Sequence, residues 1–134
     1  MRIAGIICEY NPLHLGHKKQ LDTLRQTLGD ACGIVCLMSG NFVQRGAPAV
    51  FHKSIRAKAA ILCGADLVLE MPITGALSSA EGFAHSGASI LSSFCDALCF
   101  GAETPDPERL FATAKALLSP AFSESLRQEL DKGL

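Results

Sequence analysis

The chain reads as an α/β fold built on a parallel sheet, and three observations point there. Hydrophobic residues make up 49% of the 134 residues, enough to cover both faces of a sheet. The strand-length apolar runs are continuous rather than alternating, as in strands buried on both sides. These runs take turns with segments of helical periodicity, a β-α-β-α order that favours parallel strands joined by right-handed crossovers. By length the chain is one domain, 1–134.

Strands are expected at about Arg2–Glu9, Gly33–Met38, Asp66–Glu70 and Ala97–Phe100. Helices are expected at about Gly16–Leu28, His52–Cys63, Ala80–Phe94 and Pro107–Leu118, with a last segment near Ser123–Lys132. In the first helix Leu21, Leu24 and Leu28 form one core-facing stripe, and Lys18, Lys19, Asp22 and Arg25 take the other side. Gly29-Asp30 and Gly64 supply helix ends, where glycine tolerates left-handed backbone. Asp106-Pro107 supplies a start, with Asp as N-cap and Pro in the first turn. The segment Ser39–Phe51, SGNFVQRGAPAVF, is long for a connection in such a fold, and long loops at the carboxyl edge of a sheet commonly carry binding groups.

Composition excludes several classes. No run of about 18 apolar residues exists, so no membrane-spanning helix is expected. The start of the chain, with Glu9 inside the first apolar segment, is unlike a signal peptide, and a cytoplasmic protein is expected. Six cysteines fit no strong zinc spacing, including Cys32-x-x-x-Cys36 and Cys95-x-x-x-Cys99, and read as small buried hydrophobes. Net charge is −1, yet residues 1–58 carry eight Lys/Arg against three Asp/Glu, while residues 59–134 carry four against ten. That asymmetry suggests one face turned toward an anion, a demand that polyphosphate alone would meet.

The most informative stretch is NPLHLGH, residues 11–17, directly after the first strand. His14 and His17 fall at a strand's carboxyl end beside a helix N-terminus, the edge where ligands bind in open α/β sheets. The first turn of a helix offers unpaired N–H groups to phosphate, Gly16 leaves room for close approach, and two imidazoles can donate to phosphate oxygens.

This H-x-G-H element resembles that of the nucleotidyltransferases whose Rossmann-like fold is related to class I aminoacyl-tRNA synthetases. Five blocks are similar, more narrowly, to the bacterial tRNA(Met) cytidine acetate ligase family: GIICEYNPLHLGH (5–17), MSGNFVQRGAPA (38–49), Lys53–Ala57 with CGADLVLEMP (63–72), SAEGFA (79–84) and FGAE (100–103). The resemblance implies a Rossmann-like parallel sheet of the HxGH type and ATP-dependent activation of acetate as acetyl-adenylate. Acetylation of N4 of the wobble cytidine in elongator tRNA(Met) is implied to follow. It assigns His14 and His17 to catalysis. It assigns Ile7, Cys8, Glu9, Tyr10, Asn11, Pro12, Leu13, His14, Leu15, Gly16, His17, Lys18, Lys19, Gln20 and Gly101 to ATP, and Gly40 and Asn41 to the substrate side. Magnesium is implied to travel with the ATP phosphates, with no metal ligand from the protein and no protein partner.

Two departures from related enzymes stand out. Glu9-Tyr10-Asn11-Pro12 replaces the T-F-D-P pattern of many adenylyl- and cytidylyltransferases, which favours the acetate ligase. Glu9 then either orients a group in the acetate pocket or ends the strand in solvent. The later Ser/Thr-rich motif with its triphosphate-gripping cation has no counterpart, since Ser78-Ser79 and Ser92-Ser93 precede no suitable basic residue. Family members are also longer, so the chain reads as truncated. A small-molecule adenylyl- or cytidylyltransferase and a non-catalytic nucleotide-binding module remain as alternatives.

Overall fold

The computed structural model describes residues 2–104 and 106–133, which divide into two compact units, Met1–Phe100 and Gly101–Leu134. The first unit holds β1 (Ile3–Cys8), α1 (Leu15–Leu28), β2 (Gly33–Ser39), α2 (Lys53–Leu62), β3 (Leu67–Met71), α3 (Ile73–Ala76), α4 (Ala80–Leu91) and β4 (Ala97–Leu98). The strands form one sheet in the order β3-β2-β1-β4, every pair parallel. The chain steps outward from β1 through β2 to β3, then returns to the other side of β1. The strand order therefore reverses at β1, the position where open α/β sheets bind ligands at their carboxyl edge.

The period of two along each strand sorts side chains into two cores. Ile6 and Cys8 of β1 and Ile34, Cys36 and Met38 of β2 face Leu21 and Leu24 of α1 and Ala57 and Ala60 of α2. Ile3 and Ile7 of β1 and Val35 and Leu37 of β2 face Ala76 of α3 and Phe83, Ile90 and Leu91 of α4. On this second face α4 lies very close to β1. A Cβ at Gly87 would sit 2.5 Å from Cδ1 of Ile7, and one at Gly5 would sit 3.0 Å from Sγ of Cys95 and Cδ1 of Leu91. Asp66, just before β3, locks the amino edge: one carboxylate oxygen accepts from the Ile34 amide and from Arg25 of α1, each at 2.7 Å.

Boundaries shift for local reasons. His52 lies outside α2 as its N-cap, accepting from the Ser54 amide. The fourth strand is only Ala97–Leu98 where Ala97–Phe100 is expected, because its pairing to β1 covers just Ala4 and Gly5. The short α3 has no counterpart among the expected helices; its sequence ITGA carries no periodic stripe. The six cysteines are free.

In the second unit, α5 (Pro107–Leu117) starts as expected, with Asp106 accepting from the Glu108 and Arg109 amides. The last helix, α6 (Pro120–Leu130), begins earlier than Ser123 because Ser119 caps it and Pro120 fits the first turn. Among the described residues no helix is long and apolar enough to cross a membrane.

Candidate nucleotide-binding site

Between β1 and α1 the backbone makes an uncommon turn. Tyr10 adopts φ 47°, a left-handed conformation that a bulky L-residue rarely takes, and the Asn11–Pro12 peptide is cis. Burial of the Tyr10 ring, 1% exposed, holds this conformation: its hydroxyl lies 3.4 Å from Sγ of Cys36 in the first core. Neither Tyr10 nor Cys8 ionises in the neutral range. Burial and the two neighbouring thiols push the phenol up, and the hydrogen bond to Cys36 together with burial pushes the Cys8 thiol up.

The turn delivers His14 and His17 to the start of α1. Nδ1 of His14 accepts from the Gly16 amide at 3.1 Å, and Nδ1 of His17 accepts from the His14 amide at 3.3 Å, so the two histidines form a reciprocal cap. A ring nitrogen that accepts carries no proton, which places the proton of each neutral imidazole on Nε2. The rings stack with centroids 3.7 Å apart and planes 23° apart, and the Tyr10 ring lies 4.9 Å from His17. Partial burial first, and then the neighbouring His14, lower the pKa of His17 from its ordinary 6.5, favouring the neutral form. The outcome is two preset Nε2–H donors at the positive end of a helix, an arrangement suited to phosphate oxygens. Gly16 is also required by the cap itself: a Cβ there would lie 2.9 Å from Cε1 of His14, so glycine is what lets the ring fold back onto the helix.

Glu9 is half-buried just past the end of β1. Its Oε1 accepts from the Gln44 amide at 2.6 Å, tying the 39–51 loop to the exit of β1. Two residues on, Oδ1 of Asn11 accepts from the Val50 amide at 2.7 Å. Within the loop Phe42 pairs with Pro48 in an antiparallel bridge, and Val43 is buried. Asn41 holds the loop base, with Oδ1 accepting from the Lys53 amide at 2.9 Å and its carbonyl from the Ala49 amide at 2.9 Å. A side chain on Gly40 would collide with Oε1 of Glu70, whose other oxygen pairs with Nζ of Lys53 at 2.6 Å. Lys53 and Glu70 line a cavity of about 220 Å³ with Met38, Ala57, Val68 and Leu69.

The residues assigned to ATP thus fall into distinct settings. Ile7 and Cys8 turn their side chains into opposite cores, and Leu13 packs on the first. Pro12, Leu15 and Lys19 are exposed, Leu15 at 83%, and Gln20 is half-buried. Lys18 pairs with Asp22 at 2.7 Å. Gly101 opens the second unit. Sequence reasoning passed over Arg56, which is 1% exposed and bonds to backbone carbonyls throughout this edge. It lies in the K-x-x-R-A block, on a helix that also carries Lys53 and Lys58, so charge alone did not single it out. Among the described residues no group of three or more His, Cys, Asp and Glu could hold a metal ion.

The model of the HIGH Nucleotidyl Transferase family matches residues 1–134. The chain belongs to that family. Among curated proteins similar to it are the tRNA(Met) cytidine acetate ligases of Acetivibrio thermocellus, 43% identical, and Alkaliphilus metalliredigens, 45% identical. Each match covers 100% of this chain, and 33% and 32% of the respective relative. The crystal structure of Thermotoga maritima TmcAL bound with alpha-thio ATP superposes with a TM-score of 0.89 at 37% identity, over 100% of this chain and 33% of that one. The chain therefore spans about a third of the length of the curated relatives it matches. The Rossmann-like, all-parallel fold expected of an HxGH nucleotidyltransferase is the one observed.

Proposed function

We propose that this chain forms the ATP-binding part of a tRNA(Met) cytidine acetate ligase, with His14 and His17 donating from Nε2 to the phosphates of Mg-ATP. The observation that carries the reading is the reciprocal cap, which presets both donors at the α1 N-terminus. The names of the curated relatives and the ATP analogue in the Thermotoga maritima structure support the choice of substrate class. A carboxylate oxygen of acetate attacks the α-phosphorus, and the bond to the β-phosphate oxygen breaks with its electron pair leaving on pyrophosphate. The N4 amine of the wobble cytidine in elongator tRNA(Met) then attacks the acetyl carbon of the adenylate, loses a proton and displaces AMP. Acetate needs no covalent assistance, so the chain's part is positioning and charge stabilisation. Magnesium arrives on the ATP oxygens, and a tRNA substrate would place the protein in the cytoplasm. The chain is proposed to act as one nucleotidyltransferase-like domain, with Lys18 and Lys19 adding to the nucleotide contacts.

Two measurements test this. The 134-residue chain is expected to bind Mg-ATP in a calorimeter, and His17→Ala to weaken that binding about tenfold to a hundredfold, the worth of one charge-assisted hydrogen bond. Acetate-dependent exchange of labelled pyrophosphate into ATP, followed with this chain and with one of its relatives' length, tests the chemistry. Exchange that runs equally well without acetate would contradict the ligase reading and point to another acceptor.

A further inference from the structure

We propose that Arg56 is a positioning residue that joins the H-x-G-H turn and the 40–51 loop into one rigid edge, so that nucleotide held at the turn also fixes the loop. This rests on the proposed ATP site. Nη1 donates to the carbonyl of Glu9, where the chain leaves β1 for the histidine turn. Nη2 donates to the carbonyls of Ser39, at 3.1 Å, and Gly40, where β2 passes into the loop. Nε donates to the carbonyl of Phe51 at 3.0 Å, where the loop ends. One planar fork thus holds three chain segments, whose carbonyls lie 5 to 47 residues from Arg56 in sequence.

The choice of residue is informative. Burying a guanidinium is a poor route to stability alone, because desolvation offsets the attraction. What the fork supplies is geometry: several donors at fixed angles, which a lysine ammonium cannot reproduce. Glu9 and Asn11, on the same turn as His14, then accept from the Gln44 and Val50 amides. The loop is consequently held by its ends through Arg56 and by its middle through the histidine turn. Displacement of either segment must disturb the other.

Hydrogen exchange of the Gln44 and Val50 amides, on the whole chain, tests the proposal. Without nucleotide, Arg56→Lys is expected to speed exchange at both amides by about tenfold or more, while amides within β1 and β2 keep their protection. With saturating Mg-ATP, exchange at both is expected to slow in the wild type and to respond much less in Arg56→Lys. A merely structural arginine would not make the loop answer to nucleotide. Unchanged loop exchange in folded Arg56→Lys, or an equal ATP response in both proteins, overturns the proposal. Should the variant fail to fold, the wild type decides, because a loop that does not respond to bound ATP overturns it equally. Should the wild type bind no Mg-ATP, the proposed function and the nucleotide-linked half of this claim both fail. The nucleotide-free comparison then still decides whether Arg56 holds the loop.

Discussion

His14 does two things at once, and one pair of substitutions separates them. Its Nδ1 caps α1 by accepting from the Gly16 amide at 3.1 Å, while its Nε2–H is directed to phosphate in the proposed complex. Alanine removes both. Loss of an N-cap acceptor destabilises by about 1 kcal/mol. The reciprocal bond from the His14 amide to His17 needs only the backbone of residue 14, so the cap is halved rather than abolished. Asparagine is among the best N-cap residues, so His14→Asn is expected to restore the lost stability to within a few tenths of a kcal/mol. Its shorter side chain ends in the group that caps and has no second ring nitrogen on the far side to reach a phosphate. Both variants are therefore expected to lose about 1.5–3 kcal/mol of Mg-ATP binding, roughly tenfold to a hundredfold, but only alanine to lose stability. Urea unfolding and calorimetry on the same samples measure the two quantities. If His14→Asn binds Mg-ATP as the wild type does, the second nitrogen has no part in binding and the reasoning from its tautomer is wrong.

Gly87→Ala is expected to destabilise by about 1 kcal/mol in urea unfolding, because overpacking of about 1–3 kcal/mol outweighs the roughly 1 kcal/mol that alanine adds to a helix. The added methyl would meet Cδ1, Cγ1 and Cγ2 of Ile7 at 2.5, 2.7 and 3.0 Å; Ile7→Val, which deletes the nearest of these carbons, should recover part of the loss, and a more stable Gly87→Ala would show that α4 is not so close to β1. Stability should also depend on pH through two groups. Burial and then His14 lower the pKa of His17 from 6.5, so below about pH 6.5 the unfolded chain binds more protons and stability rises with pH, levelling off above that value. His17→Asn should flatten this slope. For Asp66, burial opposes ionisation, but the Ile34 amide and Arg25 outweigh it and hold the carboxyl below 3.8. Its contribution is present above about pH 3.8 and is lost as pH falls through the lower folded value. Asp66→Asn should remove that acid-limb dependence in a urea-midpoint series.

What the sequence determined by itself was everything decided within a few residues or by a repeating period. The buried runs at β1 and β2, the Leu21-Leu24-Leu28 stripe, the Asp106-Pro107 start and the Gly29 end are all local, and each lies where its own neighbours put it. The H-x-G-H turn was legible for the same reason, since a strand, a turn and a helix start are consecutive there. Tertiary structure alone decided the strand order β3-β2-β1-β4, which sets the reversal at β1. It alone gave Gly16 a second reason, a histidine ring folded over it, and Glu9 its partner 35 residues away. Arg56 is the clearest instance. On the helix it is one of three cations, with Lys53 and Lys58, and only when β1, β2 and the loop converge do four carbonyls appear around it. Side-chain to backbone bonds of this kind leave no period and no fixed spacing, because the carbonyl they use is common to every residue type.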